Sequence, residues 1–453
     1  MEWTIKLEAR TGWGEVETIE VGRLQRRVVG LTAEEVGLTL AEGKELLSEL
    51  QRLVLQTRME EYVMCARVCP ECLTLRRRRD CRTRTLQTLF GTVEVDAPRI
   101  SICPCSNEMG FVDLSFSPLA QLLPDRCTSE LRCIQADLGA RHSFREAAQL
   151  LSTLLPCSPT NHATLRNRTH RVAAEIEAKA PEAPKDVPAA NDEIVVMIDG
   201  AHIRAAPGYQ SRHVDVTVGK VEVTGRRPRR FALAPKGSDH PLAPMRVALV
   251  EQGWHPGRPL AVISDGEAAL PDLVRAATGE PVRHILDWFH LSMRMRPIEQ
   301  VLTGLSARQL QDPEPVRIAQ ASIERIRHLP WHGRADEADQ EIALLSGHGS
   351  KIAERNGVPV QESTKDLTRL CMELQGYAQN NRDAIINYHR RYHDKQPVSS
   401  LEAEGCVDEI ANARMAKKQR MRWSPCGAHR VALVRAAVLD GRLKSRGVVP
   451  MSA

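Results

Sequence analysis

Hydrophobic positions change their period repeatedly along this chain. Over residues 1–30 they alternate loosely (Trp3, Ile5, Leu7; Val16, Ile19, Val21), the two-residue period of short strands. Thr39-Leu-Ala-Glu42 then has capping-box spacing, and Leu46, Leu47, Leu50, Leu53 and Val54 follow on one helical face. That stripe predicts a packing helix, with dimerisation through segment 1–64 as its functional alternative. Thr85-Leu-Gln-Thr-Leu-Phe-Gly-Thr-Val-Glu-Val95 reads as a β-hairpin-like stretch. Residues 143–151 predict a helix, Pro156-Cys-Ser-Pro159 breaks it, and a second helix starts at 161. A Pro/Ala-rich linker over 179–192 closes this half.

Beyond the linker the pattern is that of a sheet. Apolar runs at 193–200, 213–223, 230–233, 259–266 and 282–286 read as strands, with helices at about 241–252 and 268–277. Two of the runs end alike, in Asp199-Gly200 and Asp265-Gly266. Carboxylates at strand ends lie where open α/β sheets place their sites, and a following glycine lets the backbone turn sharply. Paired carboxylates are also the hard oxygen ligands that two Mg²⁺ ions require for phosphoryl displacement. Ordinary turns are the alternative reading. Residues 299–398 are dominated by helical patterns and predict a helical insertion between 193–298 and 399–453.

Composition alters this picture only locally. The 453 residues carry 62 basic and 57 acidic side chains, a formal charge of +5 that excludes a histone-like polycation. No apolar run reaches the length of a membrane span and the first residues form no signal peptide, so a soluble intracellular protein is expected. Of the twelve cysteines, eight fall between Cys65 and Cys133, which points to metal chemistry in a 65–140 module. Cys69-Pro-Glu-Cys72 and Cys103-Pro-Cys105 flank the hairpin-like stretch in a zinc-ribbon-like layout. Cys65 and Cys81 are alternative ligands, and free thiols are the other reading. Arg76, Arg77, Arg78 and Arg79 form a run suited to phosphates or to a solvated face. Arg166, Arg168 and Arg171 lie on the second helix of a helix-turn-helix pattern over 141–178.

Asp199-Gly, Ser264-Asp265-Gly266 and Asp287-Trp-Phe-His290 resemble the first Asp, second Asp and D-x-x-H signature of Mutator-like DDE transposases. Ser399-Ser-Leu-Glu-Ala-Glu404, Arg414-Met-Ala-Lys-Lys-Gln-Arg-Met-Arg-Trp423 and Gly427-Ala-His429 resemble the C-terminal block of ISKra-type insertion-sequence transposases. In that family the third acid stands ten residues before the Arg of the Arg-Met motif, which is Glu404 here. The family's Glu-Ser, followed three residues later by Asn, stands here as Glu404-Gly405 and Asp408. Glu402 is the nearest competing acid. The resemblance runs from about residue 65 to the end, and its C-terminal block is the most specific part.

The resemblance implies an RNase H-like core in which Asp199, Asp265 and Glu404 hold two Mg²⁺ (or Mn²⁺) ions. It places Asp287 and His290 near the site, orienting substrate. Arg414, Lys417, Lys418 and Arg422, with Trp423, read as a phosphate-gripping stretch ending in a base-stacking ring. The expected function is cleavage and strand transfer at the terminal inverted repeats of a bacterial insertion sequence. Its partners would be double-stranded end and target DNA, in a homodimer or larger synaptic assembly at the nucleoid. A non-catalytic DNA-binding regulator derived from a transposase is the competing class, and a nuclease without strand transfer a third.

Overall fold

The computed structural model describes residues 1–10, 14–27, 29–30, 32, 36–106, 114–123, 125–157, 159–179, 193–415 and 421–443. The chain is mixed α/β, a little over half helical, with one compact unit over residues 1–172 and another over Ala173–Asp440. Among the described residues no helix is long and apolar enough to cross a membrane. Most of the expected linker, 180–192, lies outside the described residues.

In the first unit, strands β1 (Glu2–Arg10) and β2 (Val16–Gln25) pair antiparallel. Helix Leu40–Ala66 starts at the expected capping box. The Glu42 N–H donates to the Thr39 hydroxyl oxygen at 3.2 Å, and the Thr39 N–H donates to the Glu42 carboxylate at 2.9 Å. The stripe on this helix is only partly buried. Leu53 is inside, but Leu47 and Val54 are exposed. Leu55, Met59 and Val63, at i, i+4 and i+8, are the line that packs on the neighbouring sheet. That sheet comprises β3 (Arg78–Thr88), β4 (Gly91–Ser101) and β5 (Ser115–Phe116), all antiparallel. The hairpin turns after Thr88, whose hydroxyl donates to the Gly91 carbonyl at 2.8 Å, with Gly91 at φ +128°. Helices Ser129–Arg141, Phe144–Leu154 and His162–Ala178 share a core of Leu131, Ala147, Leu151 and Leu165.

The second unit is built on five strands: β6 (Ile194–Arg204), β7 (His213–Glu222), β8 (Arg229–Leu233), β9 (Leu260–Ser264) and β10 (Arg283–Leu286). Their spatial order is β10-β9-β6-β7-β8. The first three in sequence pair antiparallel, and β9 and β10 run parallel to β6. Alternation along β6 separates two cores. Ile194, Val196 and Ile198 face helices Ala243–Glu251 and Ala269–Thr278 through Met245, Leu249, Leu270 and Val274. Val195 and Met197 face the other way, with Ala261, Ile263 and Ile285, onto Tyr388 and Ala403. Each such side chain contributes about 1.5–3 kcal/mol by leaving water, so this alternation fixes the strand faces firmly.

Helices Trp288–Ser306, Glu314–Trp331, Ala335–Asn356 and Gln361–Asn380 follow the sheet and have their own core around Leu302, Ile323, Ile342 and Leu367. The chain returns through helix Leu401–Cys406, which continues as a π-helical turn over Val407–Asn412. β6 does not end at Asp199-Gly200 but runs on to Arg204, because β7 supplies backbone partners as far as His213.

Candidate active site and thiol centre

The sheet register assembles the acidic site. Ile194 to Met197 pair in sequence with Leu260 to Ile263, so extending the register by two residues sets Asp199 beside Asp265. Arg283 to Leu286 pair with Ala261 to Ser264, which sets Asp287 beside Asp265 on the other side. The Asp287 N–H donates to the Ser264 carbonyl at 2.9 Å, continuing that ladder. Adjacent strands lie about 4.8 Å apart, and every second residue shares a face. Asp199, Asp265 and Asp287 therefore form a row across three parallel strands, on the face of Met197, Ile263 and Ile285. Helix Leu401–Cys406 packs on this same face through Ala403 and carries Glu404.

Each acid is held differently. The Asp199 carboxylate accepts from the Gly200 N–H at 2.7 Å, and Asp265 accepts from the Glu267 N–H at 3.0 Å. The Tyr377 hydroxyl from the helical insertion donates to the Asp265 carbonyl at 2.6 Å, and Arg294 lies over the Tyr377 ring at 4.0 Å. Gly266 is required beside it. Its φ is +92°, and a Cβ there would lie 2.8 Å from Asn381 and 2.9 Å from Leu286. Gly200 has open space around it, so the two Asp-Gly pairs are not equivalent.

Asp287 is fully buried and caps helix Trp288–Ser306. It accepts from the Phe289 N–H at 2.7 Å and from the buried Ser400 hydroxyl. His290, one turn into that helix, has Nε2 3.2 Å from Glu404 Oε1 and 3.8 Å from Asp287 Oδ2. The contact with Glu404 is a close charge approach, not an aligned hydrogen bond. Asp287 is thus occupied in holding the fold, whereas half-buried His290 touches the third acid.

Burial raises the pKa of Asp199; the Gly200 N–H opposes this, and the Asp265 charge adds to it. Burial likewise raises Glu404, with His290 opposing and Asp199 and Asp287 reinforcing. Two acids on separate elements, 205 positions apart in the chain, feel one another's charge.

The cysteine pairs meet in the first unit. Cys69, Cys72, Cys103 and Cys105 bring their sulfurs within 4.8 Å of one another and could hold a metal ion such as zinc. The sulfurs of Cys69 and Cys105 are 3.4 Å apart, as are those of Cys72 and Cys103. Tetrahedral zinc with bonds of about 2.3 Å separates its sulfurs by about 3.8 Å, close to this spacing. Cys69 is pulled down to about 5, first by the Cys72 N–H, with Arg76 assisting from 3.5 Å. Thr74 pulls Cys72 down. Leu73 adopts φ +59° in the turn between them. Cys65 and Cys81, the alternative ligands, are exposed and outside this group. Among the described residues, the acidic row does not draw its ligand atoms to the thiols' spacing.

The basic residues divide. Arg77, Arg78 and Arg79 are exposed, but Arg76 lies half-buried between Cys69 and the Phe116 ring. Arg166 is exposed, whereas Arg168 turns inward to Gln135 at 2.8 Å and to Gln87. Arg171 pairs with Asp125. Arg414 and Trp423 correct an expectation. Both are buried, Arg414 lies 5.1 Å over the Trp423 ring, and Trp423 bridges to the end of β6 at Ala205. In this packing neither can grip a phosphate or stack a base. Arg422 stays exposed, and Lys417 and Lys418 lie outside the described residues, as does the Glu402 side chain. His429 also packs inside. Its Nδ1 accepts from the Ala234 N–H at 3.1 Å, so its Nε2–H points at Glu177, 3.0 Å away.

Ser400 lies within the Ser399-Ser-Leu-Glu-Ala-Glu404 motif, but its bond to Asp287 is not legible there, and nothing local to Tyr377 or Arg294 signals that Tyr377 reaches the Asp265 carbonyl with Arg294 over its ring. Compared with known proteins, the chain matches no family model and no curated protein.

Proposed function

We propose that the chain is a DDE transposase of an insertion sequence, of the ISKra-type, Mutator-like class, with an RNase H-like catalytic core. The observation that carries this reading is the in-register pair Asp199 and Asp265, on adjacent parallel strands, facing the helix that bears Glu404. The strand order β10-β9-β6-β7-β8, with three antiparallel strands followed by two parallel ones, supports such a core. The sequence motifs at 287–290 and 399–429 support the same reading.

The donor set suits Mg²⁺ or Mn²⁺. Asp199, Asp265 and Glu404 offer only hard oxygens, and burial together with like charge makes the anionic forms of Asp199 and Glu404 costly, which a cation relieves. Held there, two such ions would supply an activated water and charge stabilisation of the leaving oxygen in a phosphodiester displacement. The chain's own part is placement. β6 and β9 fix two carboxylates, the Asp287–Ser400 bond anchors the start of the Glu404 helix, and His290 positions the Glu404 carboxylate. The element ends would be cut by hydrolysis, and a 3′-hydroxyl would then attack target DNA. The 141–178 helix-turn-helix segment and the thiol module would bind the inverted repeats, in a dimer or larger assembly. Arg77, Arg78, Arg79, Arg166 and Arg422 remain the exposed phosphate contacts.

Purified protein incubated with its element's end DNA and Mg²⁺ tests this reading. Wild type should cleave, and Asp199→Ala should bind equally without cleaving. Equal cleavage by both would remove Asp199 from the chemistry, and binding without cleavage by wild type would favour a regulator.

A further inference from the structure

Helix Trp288–Ser306 presents three polar groups in a line along one face. Asp287 caps the helix, His290 stands one turn in, and Arg294 follows one turn further. The first two are engaged in the acidic site, Asp287 through Ser400 and His290 beside Glu404. Arg294, the third, is exposed.

A ring and not a carboxylate holds Arg294. Its guanidinium lies 4.0 Å from the Tyr377 ring centroid, and the Tyr377 hydroxyl donates to the Asp265 carbonyl at 2.6 Å. Burial pushes that phenol up to about 12; the Arg294 charge opposes this, and the Asp265 and Asp287 charges add to it. Tyr377 therefore stays protonated and keeps its bond, which sets Arg294 one ring's length from the Asp265 loop. Among the described residues Arg294 makes no ion pair, although the charges of Asp265 and Asp287 reach the ring beneath it. Other exposed arginines of the insertion are taken up by acids, Arg317 by Glu314, Arg325 by Glu341, Arg369 by Glu373 and Arg382 by Asp336. Stacking uses the face of a guanidinium and leaves donors along its edge, an arrangement that suits two oxygens of one phosphate.

We propose that Arg294, held against the Tyr377 ring, binds the non-bridging oxygens of the DNA phosphodiester that the acidic row cuts. This phosphate subsite rests on the transposase reading and adds to it a contact made by the chain itself. Carboxylates alone repel a phosphodiester, and a directed cation beside them gives it a fixed place. Lysine would keep the charge but lose the planar fork and the stack.

End DNA carrying one uncharged methylphosphonate at the cleavage position tests the subsite. Binding is measured for the full chain, with Ca²⁺ in place of Mg²⁺ so that the ends stay uncut. Wild type should prefer the natural phosphate, and Arg294→Gln should reduce that preference by about tenfold, the worth of one charge-assisted bond. Arg294→Lys should recover part of it. Arg296→Gln, which removes an equally exposed arginine from another face of the helix, should leave it unchanged. With Mg²⁺ and natural DNA, Arg294→Gln should cleave on the order of 10²-fold more slowly than wild type. An unchanged preference in Arg294→Gln, whatever its rate, would overturn the proposal while leaving the transposase reading intact. A wild type that neither prefers the natural phosphate nor cleaves would bring down that reading and the subsite with it.

Discussion

The thiol centre and the acidic row solve the problem of gathering ligands in opposite ways. Four cysteines come from two short turns on a single hairpin module, and their sulfurs already lie at ligand spacing. Three aspartates come from three strands of one sheet and the glutamate from a helix more than a hundred residues later. The sulfurs are gathered by local turns, whereas the acids are spaced by strand register. A local centre can be read from spacing in the sequence. A register-built centre can be read only once the strand offsets are known.

The largest expected effects test each centre separately. Asp199→Ala or Glu404→Ala should cut DNA cleavage by on the order of 10³-fold or more, with end binding intact, in a gel assay. Cys72→Ser should do the reverse. It should remove bound zinc and the order of the 65–140 module, since structural zinc contributes on the order of 10 kcal/mol to small modules. Retained zinc in that variant, measured by metal analysis, would leave the thiols as mere neighbours.

Intermediate effects probe how the acidic row is built. Asp287→Ala removes a helix cap and leaves the Ser400 hydroxyl unpartnered, which should cost about 2 kcal/mol in denaturant unfolding. Tyr388→Phe loses one buried bond to the Leu286 carbonyl and should cost about 1 kcal/mol. A larger effect from Tyr388 than from Asp287 would invert the assigned importance of the two anchors.

The smallest effect concerns pH. Asp199 and Glu404 have pKa values raised by folding, so the native state holds more protons than the unfolded chain above the ordinary carboxylate range. In metal-free protein, stability should then fall as pH rises through that range towards the raised values. Asp199→Asn should flatten this fall and raise Tm slightly at neutral pH. A Tm lowered by Asp199→Asn would mean that the anionic carboxylate stabilises the fold.

The strands were legible because their apolar runs are short, β-branched and broken by Gly or Pro, as in Ile194–Ile198 and Leu260–Ser264. The capping box at Thr39 was legible because its signature is local. The burial of Arg414 and Trp423 was not. A basic stretch ending in tryptophan reads the same whether it faces solvent or pairs with the end of β6, and only the long-range bridge to Ala205 decides. The extent of β6 beyond Asp199 was hidden for a similar reason, since Gly200, His202 and Arg204 interrupt the apolar run and the segment is held in the sheet by its pairing with β7. The role of Ser400 also depends on a partner 113 residues away.

Iron-directed backbone cleavage reads out whether Asp199, Asp265 and Glu404 share a cation. Fe²⁺ exchanged into the protein, with ascorbate and peroxide, releases radicals that cut the chain beside each bound ion. Fragments should end near residues 199, 265 and 404 and be suppressed by excess Mg²⁺, while any cuts near 69–105 persist because soft thiolates ignore magnesium. If magnesium suppresses no cleavage near those three acids, they do not form one cation site and the catalytic assignment fails.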